Sequence, residues 1–265
     1  MRMVRARSVS VMARRTGSGR PLLLINGIGC GVETWEPLER ELGGFDMLSF
    51  DPPGVGSSPN ARRPIGMRTL ANLAVALADS CGWNEFDVLG LSWGGILAQQ
   101  LAHDHTARVR RLVLCATTFG PGPVTVDPLA LALMSTPIRH TSRWFGRVVA
   151  PYLYGSDVRH YPDAFQAFER RRSPSVLGYY QQALAATGWS SLPWLRKLPT
   201  PTLVLAGRRD RMVPPTVSRL LARAIPNSSL HMVDAGHLFL LMRPAELGPV
   251  IRQFLLQPGN EGPQR

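Results

Sequence analysis

Apolar residues in this chain occur as short, uninterrupted runs separated by segments in which they recur at helical spacing. Residues 9–12 and 22–25 read as two strands joined by a turn at Thr16-Gly17-Ser18-Gly19. The second run (Leu22, Leu23, Leu24, Ile25) has no polar alternation, as a strand covered on both faces requires. Helical spacing over 33–42 ends at Gly43-Gly44, and a strand over 45–50 stops at Asp51-Pro52-Pro53-Gly54. Leu70, Leu73, Ala74 and Leu77 place a helical stripe on 67–81, the segment 86–91 reads as a strand, and 96–105 as a helix. Further strands are predicted at 109–116, 202–206 and 229–233, with a helix over 214–225. Strands alternating with helices predict an α/β fold, with a mostly parallel sheet and helices on both faces.

Between residues 119 and 198 the pattern changes to helices alone, punctuated by Pro121, Pro123, Pro137, Pro151, Pro162, Pro174 and Pro193. The expectation is an inserted helical cap at 121–195 on a core built from 1–120 and 196–265. The polar tail, residues 258–265, is expected to fray.

A chain of 265 residues, 45% hydrophobic, is long enough to bury one large core. No apolar run approaches the ~20 residues of a membrane-spanning helix, so no transmembrane segment is predicted. The arginines near the start (Arg2, Arg5, Arg7, Arg14, Arg15, Arg20) lack the apolar stretch of a secretory signal after them. Cys30, Cys81 and Cys115 are odd in number and widely spaced, matching neither a disulfide framework nor a metal site. Together these features predict a cytoplasmic protein without metal or organic cofactor. The formal charge of +12 comes almost entirely from arginine, Lys197 being the single lysine. The arginines are dispersed, and the densest run, Arg170-Arg171-Arg172, has no nucleic-acid motif around it. This reads as a solvated surface with no nucleic-acid partner.

The chemistry concentrates in three places. Gly90-Leu91-Ser92-Trp93-Gly94 fits G-x-S-x-G and falls between a predicted strand and a predicted helix, the context that motif needs. A serine on so sharp a turn is held in strained backbone and projects its hydroxyl into a cleft, and the flanking glycines remove Cβ atoms that would collide. A serine hydroxyl is a poor nucleophile at neutral pH and needs a general base, itself oriented by a carboxylate. His237, in Asp234-Ala235-Gly236-His237 after the last predicted strand, is the best placed base of the six histidines. His103 and His105 lie on the helix after the turn, His140 and His160 in the cap, and His231 within a strand. Asp210, closing Ala206-Gly207-Arg208-Arg209-Asp210, is the natural carboxylate; Asp234 is expected to cap or bond its own loop. Asn26-Gly27-Ile28-Gly29 follows the first buried strand, so the N–H groups of Ile28 and Trp93 are the expected oxyanion donors, with Asn26 bracing the loop. The segment 51–57 reads as a structural crossover.

These segments together resemble α/β-hydrolases and, more narrowly, the intracellular depolymerases of medium-chain-length poly(3-hydroxyalkanoate). The resemblance covers nearly the whole chain. It is carried by residues 21–29, by Gly90-Leu91-Ser92-Trp93-Gly94-Gly95 with Ala98-Gln99-Gln100 and Ala102-His103-Asp104, by Leu177-Gly178-Tyr179-Tyr180, and by residues 188–194, 201–207 and 236–240. Arg208-Arg209 depart from the pattern, since such depolymerases are acidic before the catalytic aspartate. The resemblance implies attack on the ester between 3-hydroxyacyl units through an acyl-serine, and an apolar polyester granule surface as a partner. Many aromatics lie in the cap, and Tyr179, Tyr180, Trp189 and Trp194, in the cap segments that carry the resemblance, are the expected substrate contacts. The same triad would also serve a general esterase or lipase, a lactonase or a perhydrolase. From another class, a catalytically silent binding protein of granule or membrane surfaces would lack a working triad.

Overall fold

The computed structural model describes residues 1–6, 9–120, 127–136, 138, 142–171 and 175–258. Most of the tail expected to fray, together with His140 and Arg172, lies outside the described residues. One sheet runs through the molecule, built from β1 (Arg2–Ala6), β2 (Val9–Gly17), β3 (Arg20–Ile25), β4 (Phe45–Phe50), β5 (Phe86–Leu91), β6 (Val109–Cys115), β7 (Thr202–Gly207) and β8 (Ser228–Val233). The spatial order is β1-β2-β4-β3-β5-β6-β7-β8. β1 and β2 pair antiparallel, as do β2 and β4, and every other neighbouring pair is parallel. The predicted α/β architecture is therefore the one found. The sequence pattern misses β1, because an edge strand carrying Arg2 and Arg5 with Met3 half-exposed has no apolar run to signal it.

Helices cover both faces. On one side, α2 (Met67–Ser80) and α3 (Trp93–Asp104) pack Leu70, Leu73, Leu77, Leu97 and Leu101 against Leu23 and Ile25 of β3. On the other, Leu22 and Leu24 of the same strand meet Trp35, Leu38 and Leu42; successive side chains of one strand thus feed two cores. The helix predicted over 33–42 is a 3-10 turn (Val32–Trp35) followed by only α1 (Glu36–Glu39). Pro37 explains the break, since it lacks the N–H that would continue the first turn. Between β6 and β7 come α4 (Pro128–Ser135), α5 (Arg143–Tyr154), α6 (Asp157–His160), α7 (Pro162–Arg171) and α8 (Val176–Ala186), with no strand among the described residues. After β7 follow α9 (Pro215–Ala224), α10 (Phe239–Met242) and α11 (Pro244–Leu256). α11, which the sequence reading did not anticipate, buries Leu247, Ile251 and Leu255 at helical spacing although Pro249 lies within it.

The helical segment meets the core through backbone. A Cβ on Gly178 of α8 would lie 2.0 Å from the Gly54 carbonyl oxygen, and one on Gly155, just past α5, would lie 2.8 Å from the Gly236 Cα. The Ser175 N–H also donates to the Gly54 oxygen at 3.3 Å.

Two buried carboxylates give the fold a pH signature. Asp87 in β5 is pushed up to about 6 by burial although Arg110 pairs with it. Asp51 is likewise raised by burial to about 6, against the opposing effect of the N–H groups of Val32 and Ser57. For both, the native state holds a proton that the unfolded chain releases near pH 4. Their contribution to stability is therefore largest below that pH, falls as pH rises through about 4 to 6, and is flat above. Asp87→Asn is expected to make unfolding by urea less pH-dependent across this window; an unchanged slope would contradict the assignment.

Candidate active site

The parallel strands β3, β5, β6, β7 and β8 end on the same edge of the sheet, and the loops leaving that edge carry every triad candidate. Ser92 follows β5 directly and N-caps α3 with φ 53° and ψ −115°, one of two described non-glycine residues at positive φ. The turn closes because a Cβ at Gly90 would sit 2.4 Å from the Gly94 oxygen, and one at Gly94 only 2.1 Å from the Ile25 oxygen. The main chain of Ser92 is pinned as well: its N–H donates to Cys115 O at 2.8 Å, and Thr117 Oγ1 donates to its carbonyl at 2.7 Å.

Ser92, more than a hundred residues from either partner in the sequence, meets Asp210 and His237 here. His237 Nε2 lies 3.2 Å from Ser92 Oγ, and His237 Nδ1 lies 2.7 Å from Asp210 Oδ2. The imidazole and the carboxylate are almost fully buried. The second oxygen of Asp210 accepts from the N–H groups of Met212 and Val213, each at 2.9 Å, so the carboxylate cannot turn away from the ring. Asp234 is exposed and pairs with Arg209 at 3.5 Å, taking no part in this chain of bonds.

Ile28 lies across the turn from Ser92, on the loop after β3. Among the described residues no carbonyl accepts from the N–H of Ile28 or of Trp93. Asn26 braces the loop as expected, donating to Cys30 O at 2.9 Å and accepting from the Trp35 indole. Gln182 of α8, which the sequence reading passed over, accepts from the Gly29 N–H at 2.8 Å through its side chain and from the Trp93 indole at 2.8 Å through its carbonyl. No periodic or motif signal marks it, because its importance arises only from where α8 lands.

A narrow cavity, with about 30 Å³ of room for solvent, lies against Ser92 and His237. Its lining is apolar, with Met134, Tyr154 and Phe168 from the helical segment, Met212 from the loop after β7 and Leu238 next to the base in sequence. The four aromatics expected at substrate are not among the lining residues. Trp194 stacks on His103 at 4.2 Å, and Trp189 packs edge-on against Trp194 while its indole donates to Gln100 at 2.7 Å. Both cover the outer face of α3, where an indole finds apolar area and a buried acceptor together. Tyr179 donates to Met134 O at 2.9 Å and Tyr180 to Ser135 O at 2.6 Å, so these rings hold α4 in place and reach the cavity only at one remove. Cys30 also lines the cavity, and none of the three cysteines forms a disulfide among the described residues. Among the described residues no acidic, histidine and cysteine cluster could hold a metal, and no helix is long and apolar enough to cross a membrane.

Comparison with known proteins agrees with this architecture. The family model for the alpha/beta hydrolase fold matches residues 20–244. The chain is 42% identical over 239 residues to a poly(3-hydroxyalkanoate) depolymerase of Ectopseudomonas oleovorans, covering 89% of this chain and 84% of that one. It is 30% identical over 261 residues to a 2-hydroxymuconate semialdehyde hydrolase of Pseudomonas putida, covering 91% and 89%. A solved thermophilic esterase from Thermogutta terrifontis superposes with a TM-score of 0.82 at 27% identity, covering 93% of each chain. With a G-x-S-x-G turn, a mostly parallel eight-stranded sheet and a family match over most of its length, the chain belongs to the α/β-hydrolase fold family and is a hydrolase.

Proposed function

We propose that the protein is a serine ester hydrolase that cleaves poly- or oligo(3-hydroxyalkanoate) esters through an acyl-serine intermediate. The observation that carries this reading is the unbroken series Ser92 Oγ, His237 Nε2, His237 Nδ1, Asp210 Oδ2, at 3.2 and 2.7 Å. In the first step His237 takes the Ser92 proton as the oxygen attacks the ester carbonyl. The oxyanion receives the N–H groups of Ile28 and Trp93, with the N-terminus of α3 behind them. Collapse expels the alcohol end of the chain, which takes its proton from His237. Water then attacks the acyl-serine by the same route and frees the hydroxyacid. Asp210 keeps the ring in the tautomer with the proton on Nδ1 and stabilises the imidazolium.

The polyester assignment is supported by the 42% identical depolymerase and by the apolar lining over Ser92, where an alkyl side chain would be buried at ~25 cal/mol per Å². In this reading Met134, Tyr154, Phe168 and Met212 take the substrate-contact role first given to Tyr179, Tyr180, Trp189 and Trp194. Residues 121–195 act as the cap on a core of 1–120 and 196–265, and the enzyme works in the cytoplasm. Leu129, Leu131, Trp144, Val148, Leu177 and Leu184 are exposed on helices α4, α5 and α8, which supports docking on an apolar granule. The arginine-rich surface stays solvated, without a nucleic-acid partner.

Release of 3-hydroxyacids from amorphous medium-chain polyester by pure protein tests the reading, with p-nitrophenyl esters and lactones run in parallel. Turnover of the small esters alone would replace the polyester assignment by a general esterase. Asp210→Asn is expected to lower kcat by about 10³- to 10⁴-fold with KM little changed, because the wrong ring tautomer would face the serine. Steady-state kinetics on a p-nitrophenyl ester measures this directly, and a loss below tenfold would remove Asp210 from the triad.

A further inference from the structure

We propose that Asp157, at the start of α6, is a positioning residue for His237; this rests on the reading of His237 as the general base. The loop from β8 to α10 must hold an imidazole in register with Ser92, yet residues 236 and 237 leave the sheet edge with two peptide N–H groups that no strand neighbour satisfies. Both find acceptors in the segment between β6 and β7. The Gly236 N–H donates to Asp157 Oδ2 at 2.6 Å, and the His237 N–H to the Tyr154 carbonyl at 3.0 Å. The two chains touch at this point: a Cβ on Gly236 would lie 2.0 Å from the same Tyr154 oxygen. On the opposite side, a Cβ on Gly207 would lie 2.6 Å from the Gly236 carbonyl. The base loop is thus gripped between the end of β7 and the α5–α6 corner.

Asp157 is built for this contact. Its side chain is 2% exposed, and its other oxygen takes Arg243 Nη2 at 2.5 Å. Its pairing with the Arg243 guanidinium is a charge-assisted contact, and a carboxylate bond to a peptide N–H is shorter and stronger than a neutral one. The carboxylate does not cap its own helix: no N–H of α6 donates to it, and its described partners are Gly236 and Arg243. A buried ion pair contributes little net stability once desolvation is counted, so its value here lies in where it fixes the loop. A shift of about 1 Å between base and nucleophile costs on the order of 10²-fold in rate.

The test measures kcat and KM on a p-nitrophenyl ester for Asp157→Ala and Asp157→Asn, each in the wild-type chain and in His237→Ala, with circular dichroism to check folding. Asp157→Ala is expected to lower kcat by about 30- to 100-fold with KM within about threefold. Asp157→Asn keeps an oxygen for the Gly236 N–H and the shape of the site but not the charge, and is expected to lower kcat by about three- to tenfold. In His237→Ala the alanine variant should change the residual rate by less than about twofold, since no base remains to be placed. An unchanged kcat in Asp157→Ala, or an equal loss with and without His237, would overturn the proposal. If the alanine variant does not fold, an asparagine variant whose KM rises while kcat holds does the same. His237→Ala alone separates the two readings: wild-type turnover there removes the base itself, and Asp157 with it.

Discussion

Ser92→Ala is expected to lower kcat by about 10⁴-fold or more and to abolish covalent labelling by a fluorophosphonate probe, while the fold survives. The size of the loss follows from the architecture. In the proposed mechanism every other group around the reacting carbon, from the ring of His237 to the amides of Ile28 and Trp93, would act on a bond that only Ser92 Oγ can form. Without it, what remains is binding and the oxyanion donors acting on a water, which sustain far slower hydrolysis. The serine hydroxyl contributes a single 3.2 Å hydrogen bond to the native state, so its removal should shift the melting temperature by no more than a few degrees. Wild-type labelling of the alanine variant would place the nucleophile elsewhere, and turnover within tenfold of wild type would end the serine-hydrolase reading. Retained fold with lost labelling also disposes of the silent binding-protein alternative, provided the wild-type chain is labelled.

The second large effect is on stability. Gly94→Ala is expected to cost roughly 3 kcal/mol or more, because the added carbon would lie 2.1 Å from the Ile25 oxygen and 2.5 Å from the Asn26 oxygen. These are main-chain atoms of β3 and of the loop bearing Ile28, which cannot swing aside as a side chain can. Relief requires α3 to lift from the sheet, and that withdraws Ser92 from His237. Stability and turnover should therefore fall together. Gly43→Ala is the matched control: nothing lies within 4 Å of its Cβ position, and substitution there should be neutral or add about 0.4–1 kcal/mol by restricting the unfolded chain. Urea denaturation of the two variants decides the matter, and similar midpoints would show that the strand-to-helix crossing has more room than its geometry indicates.

How much of this was legible beforehand depends on whether the signal was local. Strands β4 and β5 were bounded to the residue, because Asp51-Pro52 ends one and the serine turn ends the other. The turn itself, with Gly90 and Gly94, is a short-range requirement of backbone geometry and so is written in consecutive residues. That Asp210 and His237 would come near Ser92 was legible because each follows a strand end that parallel topology must bring to the same edge. The side chains lining the cavity could not. Met134 and Phe168 are ordinary apolar residues in helical spacing, and nothing in their sequence neighbourhood separates a lining position from a packing one. Trp189 and Trp194 show the converse, since their size and polar edge suit a ligand site and suit equally the outer face of α3, where His103 and Gln100 receive them. Helix 33–42 failed for a local reason that was present in the chain, Pro37 in its second turn. Asp157 and Gln182 were invisible because each side chain reaches the site through a peptide N–H, that of Gly236 and that of Gly29, and a peptide group leaves no mark in a sequence.

The attachment of α8 carries a consequence for how a long ester would reach the serine. Gln182 ties that helix to Gly29 and to the Trp93 indole, and Gly178 rides directly on Gly54. Swinging the whole roof aside on a hinge would strip acceptors from the two segments proposed to receive the anion, and on that reading the open form would be chemically idle. Entry is better served by small sideways moves of Met134 and Met212, unbranched thioethers that change rotamer cheaply, letting a chain thread past them while the ceiling stays fastened.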